Sequence, residues 1–279
     1  MTKATTLIAA ALLIVAGTSS GQDVDQGVEE YLVELLVRAE QGDPQAQLML
    51  GGAYDFGVGV EHDPKQAVHW YRKAAEQGQA EAQISLGISY AEGDGVAQDR
   101  EQSVHWFRKA AEQGHADAQA LMGLAYANGR GVEQNHGQAA YWYWKAAEQG
   151  DARSQNNLGG AYYDGEGVPE DLAQAIHWWT KAADQGEANA QLMLGGAYYF
   201  GKGVEQDPEQ GIRWWRKAAE QGQARAQYRL GEAYANGTGV EQDAEQAIYW
   251  WTKAADQGDA RAQEELMERA RQVDTGQNP

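Results

Sequence analysis

His69, His105 and His177 share one position of a repeated segment, and a row of imidazoles makes metal binding the first chemistry to weigh. A zinc ion needs its ligands within about 2.0–2.3 Å of one point. Equivalent positions in successive helical repeats stand on the order of 10 Å apart, so these histidines are expected on the solvated face. No metal or cofactor is predicted. The Gly-x-Gly-Val segments, such as Gly57–Val60, invite comparison with phosphate-binding loops, but they lack the Lys-Ser/Thr that follows such loops and no strand leads into them. Their role is that of turns. Nucleophilic catalysis has few candidates: there is no cysteine, and past the N-terminal segment the serines are Ser85, Ser89, Ser103 and Ser154. None opens a Ser-x-x-Lys motif. The recurring Glu76, Glu112, Glu148 and Glu220 fall in the last turn of a helix, on its solvent side, as a charged face rather than an acid/base pair. These residue types predict a protein that is not an enzyme.

Sugar stacking on indoles is the other chemistry on offer. One tryptophan recurs at a fixed place, as Trp70, Trp106, Trp142, Trp178, Trp214 and Trp250. An aromatic placed identically in every unit, whatever surrounds it, points to packing between repeats.

The elements behind these residues follow a period of 36, repeated six times without insertion or deletion. Gly51, Gly87, Gly123, Gly159, Gly195 and Gly231 mark it, each followed three residues later by a tyrosine. A period of this length belongs to arrays whose units bury their apolar faces on their neighbours. In the first unit, Asp43-Pro44 opens a first helix running through about Phe56. A Gly-rich turn follows, and Asp63-Pro64 opens a second helix that stops at Gly78. The Asp63-x-x-Gln66 spacing, which recurs through Asp243 and Gln246, predicts a capping box. At 100° per residue the first helix gathers Ala46, Leu50, Gly51 and Tyr54 on one arc, and the second gathers Ala67, Tyr71, Ala74 and Ala75 with Trp70 on its flank. Small residues opposite aromatics predict a close helix pair.

The ends depart from the pattern. Residues 1–21 combine a basic start, an apolar run from Leu7 to Ala16 and a small-residue zone, which predicts a signal peptide too short to span a bilayer. Removing them takes away only Lys3 and shifts the formal net charge from −19 to −20. That charge argues against nucleic acid or an anionic membrane as partner. Residues 22–42, with Val28, Tyr31, Leu32, Leu35, Leu36 and Ala39 in a stripe, predict an N-terminal capping helix. The array proper runs over 43–263, as 43–78, 79–114, 115–150, 151–186, 187–222, 223–258 and a partial 259–263. Residues 264–279 form a polar cap and tail.

The strings Ala-x-Ala-Gln-x-x-Leu-Gly-x-x-Tyr, Gly-x-Gly-Val-x-x-Asp and Ala-x-x-Trp-x-x-Lys-Ala-Ala-x-Gln-Gly resemble the Sel1-like repeat family, relatives of tetratricopeptide repeats. The resemblance covers about Asp43 to Gln263. It implies an all-α, right-handed α/α superhelical solenoid that serves as a protein-interaction scaffold, in exported members tied to the bacterial envelope. It implies no shared active site.

Function is then expected where the units differ. In tetratricopeptide-like arrays the first helix lines the concave surface. Its outward arc, the places of 45, 48, 49, 52, 55 and 56, varies from unit to unit. It presents Leu48, Met49 and Phe56, then Ile84 and Ile88, then Leu121 and Leu124. Arg153 and Tyr163 follow, then Leu192, Met193, Tyr199 and Phe200, and finally Arg225, Tyr228 and Arg229. Aliphatic, Met and aromatic groups with a few arginines suit a peptide- or helix-binding channel. The expectation is a periplasmic or secreted scaffold for a protein or peptide, with no membrane span after signal removal. The alternative is a binder of envelope polysaccharide or peptidoglycan that uses exposed aromatics.

Overall fold

The computed structural model describes the backbone of residues 21–274 and the side chains of residues 30–271. The signal-peptide expectation falls outside the described residues, except Gly21, which opens the first helix. Among the described residues there are fourteen α-helices and no strand, so the fold is all-α and of the solenoid class. They are α1 (Gly21–Glu40), α2 (Pro44–Phe56), α3 (Pro64–Glu76), α4 (Ala80–Glu92), α5 (Arg100–Glu112), α6 (Ala116–Asn128) and α7 (His136–Glu148). Then come α8 (Ala152–Asp164), α9 (Leu172–Asp184), α10 (Ala188–Phe200), α11 (Pro208–Glu220), α12 (Ala224–Asn236), α13 (Ala244–Asp256) and α14 (Ala260–Asp274). The chain divides after Gln149 into two compact units, and within each unit every helix packs on the next in sequence.

Local chemistry fixes the helix ends. Asp63 accepts hydrogen bonds from the backbone N–H groups of Lys65 and Gln66, at 3.0 and 3.2 Å. The expected capping box is only half formed, however. The backbone N–H of Asp63, which a reciprocal Gln66 side chain would need, donates to the Tyr54 carbonyl at 3.0 Å. The same closure joins Asp99 to Tyr90, Asn135 to Tyr126, Asp171 to Tyr162, Asp207 to Tyr198 and Asp243 to Tyr234. Each connection is thus tied back to the end of its own first helix. Its opening glycine is left-handed, as at Gly57 (φ +65°), where a Cβ would be strained.

Inside each pair, glycine sets the approach. A Cβ on Gly51 would stand 2.5 Å from the Tyr71 ring, and at Gly195 and Gly231 it would collide with Trp215 and Trp251. Between repeats in the first unit, Trp70 packs on Leu32, Leu35 and Leu50, and Trp142 joins a core with Ile84, Phe107 and Met122. In the second unit Trp250 packs on Ile212, Trp215 and Leu230. Trp70, Trp142 and Trp250 thus reach from a second helix to the element before their own repeat, within one unit. A lysine three residues on lies over each indole, for example Lys217 Nζ at 4.0 Å from the Trp214 ring centre, a cation–π contact on its solvent side.

Two further devices join neighbouring repeats. Gln77 Nε2 donates to Gln47 Oε1 at 2.7 Å, and buried Gln47 donates to the Ala39 carbonyl at 2.9 Å. The arrangement recurs at Gln113, Gln83 and Ala75 in the first unit and at Gln221, Gln191 and Ala183 in the second. Gly95 and Gly131, each the second glycine of its turn, meanwhile rest on the previous repeat: a Cβ on Gly95 would collide with the Pro64 carbonyl, and one on Gly131 with the Arg100 carbonyl.

Candidate functional site

The outward arc of the first helices splits when packed. Leu48, Ile84 and Tyr228 are core residues, at 4, 3 and 8 % exposure, and do not belong to a partner surface. Leu48 packs with Ala82 and Leu86 of the following first helix, Ile84 with Ala118 and Met122, and Tyr228 with Ala262. An isolated helix wheel cannot show this, because it omits the first helix of the next repeat. Met49, Ile88, Leu121, Tyr163, Leu192, Tyr199 and Arg229 are half-buried, and Phe56, Leu124, Arg153, Met193, Phe200 and Arg225 are exposed. Tyr199 leans on Trp215 with ring centres 4.7 Å apart, so its ring is largely structural.

In the second unit Tyr163, Leu192, Met193, Phe200, Arg225 and Arg229 converge, whereas Arg153 and Tyr199 do not join them. A groove of about 630 Å³ is lined by Tyr163 of α8, Leu192, Met193, Gly196 and Phe200 of α10, Lys202, Arg225 and Arg229 of α12, and Gly258–Arg261 at the start of α14. Edges of Trp179 and Trp215 also contribute. Both indoles are anchored, Trp179 Nε1 to the Asn156 carbonyl at 3.2 Å and Trp215 Nε1 to the Leu192 carbonyl at 3.1 Å. Tyr163 leans on Trp179 at 5.3 Å, and Lys202 Nζ donates to the Tyr163 hydroxyl at 3.1 Å. Arg229 pairs with Glu232 at 2.7 Å and Arg261 with Asp259 at 2.7 Å. Arg261 also lies 4.3 Å from the Tyr228 ring centre; burial, with Glu232 accepting from its hydroxyl, pushes that phenol up to about 12.

Gly196, Lys202 and Arg261 are among the contributors that escape a reading of the sequence. Gly196 leaves space open above α10, at a position that is also glycine at Gly52 and Gly160. Its place is filled by Ile88 in the second repeat and Leu124 in the third, and a Cβ on Gly196 would meet nothing within 4 Å. Lys202 sits in the variable slot of Gly-x-Gly-Val, which reads as turn alone. Elsewhere, His69, His105 and His177 are exposed and meet the neighbouring indole edge-on at 5.1 to 5.2 Å. Among the described residues no three His, Asp or Glu side chains converge, and Ser103 and Ser154 lie in the core. The arrangement is an apolar trough rimmed by cations.

Helix pairs in tandem, joined by short turns and packed face to face, define an α/α repeat protein. The Sel1 repeat model matches residues 44–79, 80–115, 116–151, 152–187, 188–223 and 224–259, and the chain belongs to the Sel1 repeat family. Such repeats typically mediate protein–protein interaction and are generally non-catalytic. Among solved structures, a protective antigen present in uropathogenic Escherichia coli strains displaying an SLR fold is 40% identical, with a TM-score of 0.83 over 94% of this chain. The chain spans 56% of that antigen's length. A Sel1 repeat protein from Oxalobacter formigenes is 35% identical, with a TM-score of 0.73, over 87% of this chain and 96% of the other. No curated protein matches the chain. Among the described residues no helix is long and apolar enough to cross a membrane.

Proposed function

We propose that this chain is an exported, non-enzymatic scaffold that captures a protein or peptide partner along the exposed face of its first helices. The groove of the second unit is the principal docking point. One observation carries the reading: Met193 and Phe200, at 36 and 51 % exposure, stand beside Leu192 in a single trough. Apolar side chains gathered in an open trough are costly to leave in water, and a volume of this size falls within the range of about 300–1,000 Å³ that encloses a ligand. Family membership supports the protein-binding class, and the composition of residues 1–21 supports export. The test is affinity capture from a periplasmic or culture-fluid extract with the wild-type chain and with Met193→Ser/Phe200→Ser. Equal capture by both would remove the groove from the proposal. For export, N-terminal sequencing should find a start between Ser19 and Asp23, and an intact Met1 chain confined to the cytoplasm would overturn it.

A second reading, binding of envelope polysaccharide or peptidoglycan, is favoured by Tyr141 and Trp144 on α7, 44 and 46 % exposed and one helical turn apart. Retention on peptidoglycan that is lost in Tyr141→Ala/Trp144→Ala would favour it over peptide capture.

A further inference from the structure

We infer that the groove of the second unit selects peptides in which an acidic side chain lies beside an aromatic or long aliphatic one. The inference rests on reading that groove as the docking site and adds the chemistry of its occupant.

The charge distribution points this way. The chain carries 41 acidic and 22 basic residues, yet the groove reverses the balance, with Lys202, Arg225, Arg229 and Arg261 against Asp259. Two of these cations are already matched, Arg229 by Glu232 and Arg261 by Asp259. Among the described residues neither Lys202 nor Arg225 has a carboxylate within 4 Å; Lys202 donates only to a neutral phenol. Arg225 stands in the first turn of α12, where the helix dipole disfavours a cation, so helix stability does not account for it. An anion delivered between them meets cations held beside a low-dielectric trough, where charge-assisted hydrogen bonds are strong. The distant carboxylates act through solvent and are screened beyond about 8 Å at physiological ionic strength.

The apolar half is supplied by Met193, Phe200 and the space above Gly196. That space exists because glycine lacks the side chain that Ile88 or Leu124 places there in other repeats. An aromatic or leucine side chain lying over Gly196 would bury Met193 and Phe200, and its acidic neighbour would reach Lys202 and Arg225. A peptide, rather than a lone anion, is required to satisfy both.

Gly196 provides the test, since leucine is favoured over glycine within a helix and a Cβ at this position meets nothing within 4 Å. A random displayed-peptide library is panned against the full chain, and enriched sequences are synthesised for fluorescence anisotropy. Expected are peptides pairing Asp or Glu with Phe, Tyr, Trp or Leu. Their affinity should fall at least about tenfold with Gly196→Leu, with Lys202→Gln/Arg225→Gln, and with Asn or Gln replacing the peptide's acid. Peptides blocked by Gly196→Leu but lacking or indifferent to an acid would overturn this inference and leave the docking site standing. Peptides indifferent to Gly196→Leu, or no enrichment, would overturn both. Circular dichroism melts confirm that each variant folds.

Discussion

The side-chain amide of Gln113 donates to Oε1 of Gln83 at 2.8 Å, thirty positions earlier in the chain. Gln83 is buried and passes its own N–H to the Ala75 carbonyl at 3.1 Å. One side chain thereby satisfies a helix-end carbonyl of the preceding repeat and the glutamine that ends the second helix of its own repeat. A buried amide is tolerated only when its groups are paired, and here the pairing itself joins the repeats.

Gln83→Leu keeps the volume but removes one of the two hydrogen bonds to the Ala75 carbonyl, which retains that from the Gly78 N–H at 3.0 Å, and takes away the protein acceptor of the Gln113 amide. It should cost about 1–3 kcal/mol in urea or guanidinium unfolding. Gln102→Leu, at an exposed site, should stay within about 0.5 kcal/mol. Equal costs would mean that the buried amides contribute nothing beyond their size.

The half-formed box makes a second distinction. Asp243→Ala removes the acceptor for the Gln246 N–H, 3.0 Å away, and should cost about 1 kcal/mol. Gln246→Ala should cost less than about 0.5 kcal/mol, because the Asp243 N–H already donates to the Tyr234 carbonyl. A larger loss on Gln246→Ala in thermal melts would restore the reciprocal bond.

Trp142→Ala empties a site shared with Ile84, Phe107 and Met122. A loss of about 3–5 kcal/mol is expected, spreading to the adjoining repeat, which hydrogen exchange of α4 and α5 amides would register. Exchange unchanged in those helices would confine the indole's role to α7.

Asp55 accepts from the Tyr71 hydroxyl at 3.0 Å, yet burial outweighs that bond and raises its carboxyl above the usual range. A carboxyl raised in the folded state favours folding while protonated, and that contribution is lost as pH climbs through the raised pKa. Asp55→Asn should therefore gain stability relative to wild type as pH rises from about 3 to about 7, and a pH-independent difference would contradict the burial argument.

On the recognition side, Met193→Ser/Phe200→Ser should leave helicity intact and weaken partner capture about tenfold, or roughly 1.4 kcal/mol. Arg216→Ala/Thr252→Ala, on second helices, should barely alter it. Capture lost only in the latter pair would place recognition on the opposite helices.

The helices, their ends and their glycine-to-aromatic packing are legible in the sequence because each depends on neighbours in the same unit, as Gly51 and Tyr71 do. What lies hidden depends on the adjoining unit. The bond from Gln83 to the Ala75 carbonyl runs to the preceding repeat, and Leu48 and Ile84 face outward until the following first helix covers them. Variability alone marks Met193, Phe200, Arg225 and Arg229, whereas it passes over Gly196 and Lys202, since one contributes space and the other sits in a turn slot.

The contact of Gly95 with Pro64, and of Gly131 with Arg100, bears on how the first unit melts. Backbone lies against backbone there, with no side chain to yield, so neighbouring helix pairs are clamped at a distance that only glycine permits. Alanine at either site would act as a wedge. Each pair would keep its own core, but the strength with which one pair's opening forces open the next would fall. A single sharp transition should then broaden or separate into steps. The glycine thereby governs how many repeats unfold as one body, a quantity that selection can adjust without touching any buried side chain.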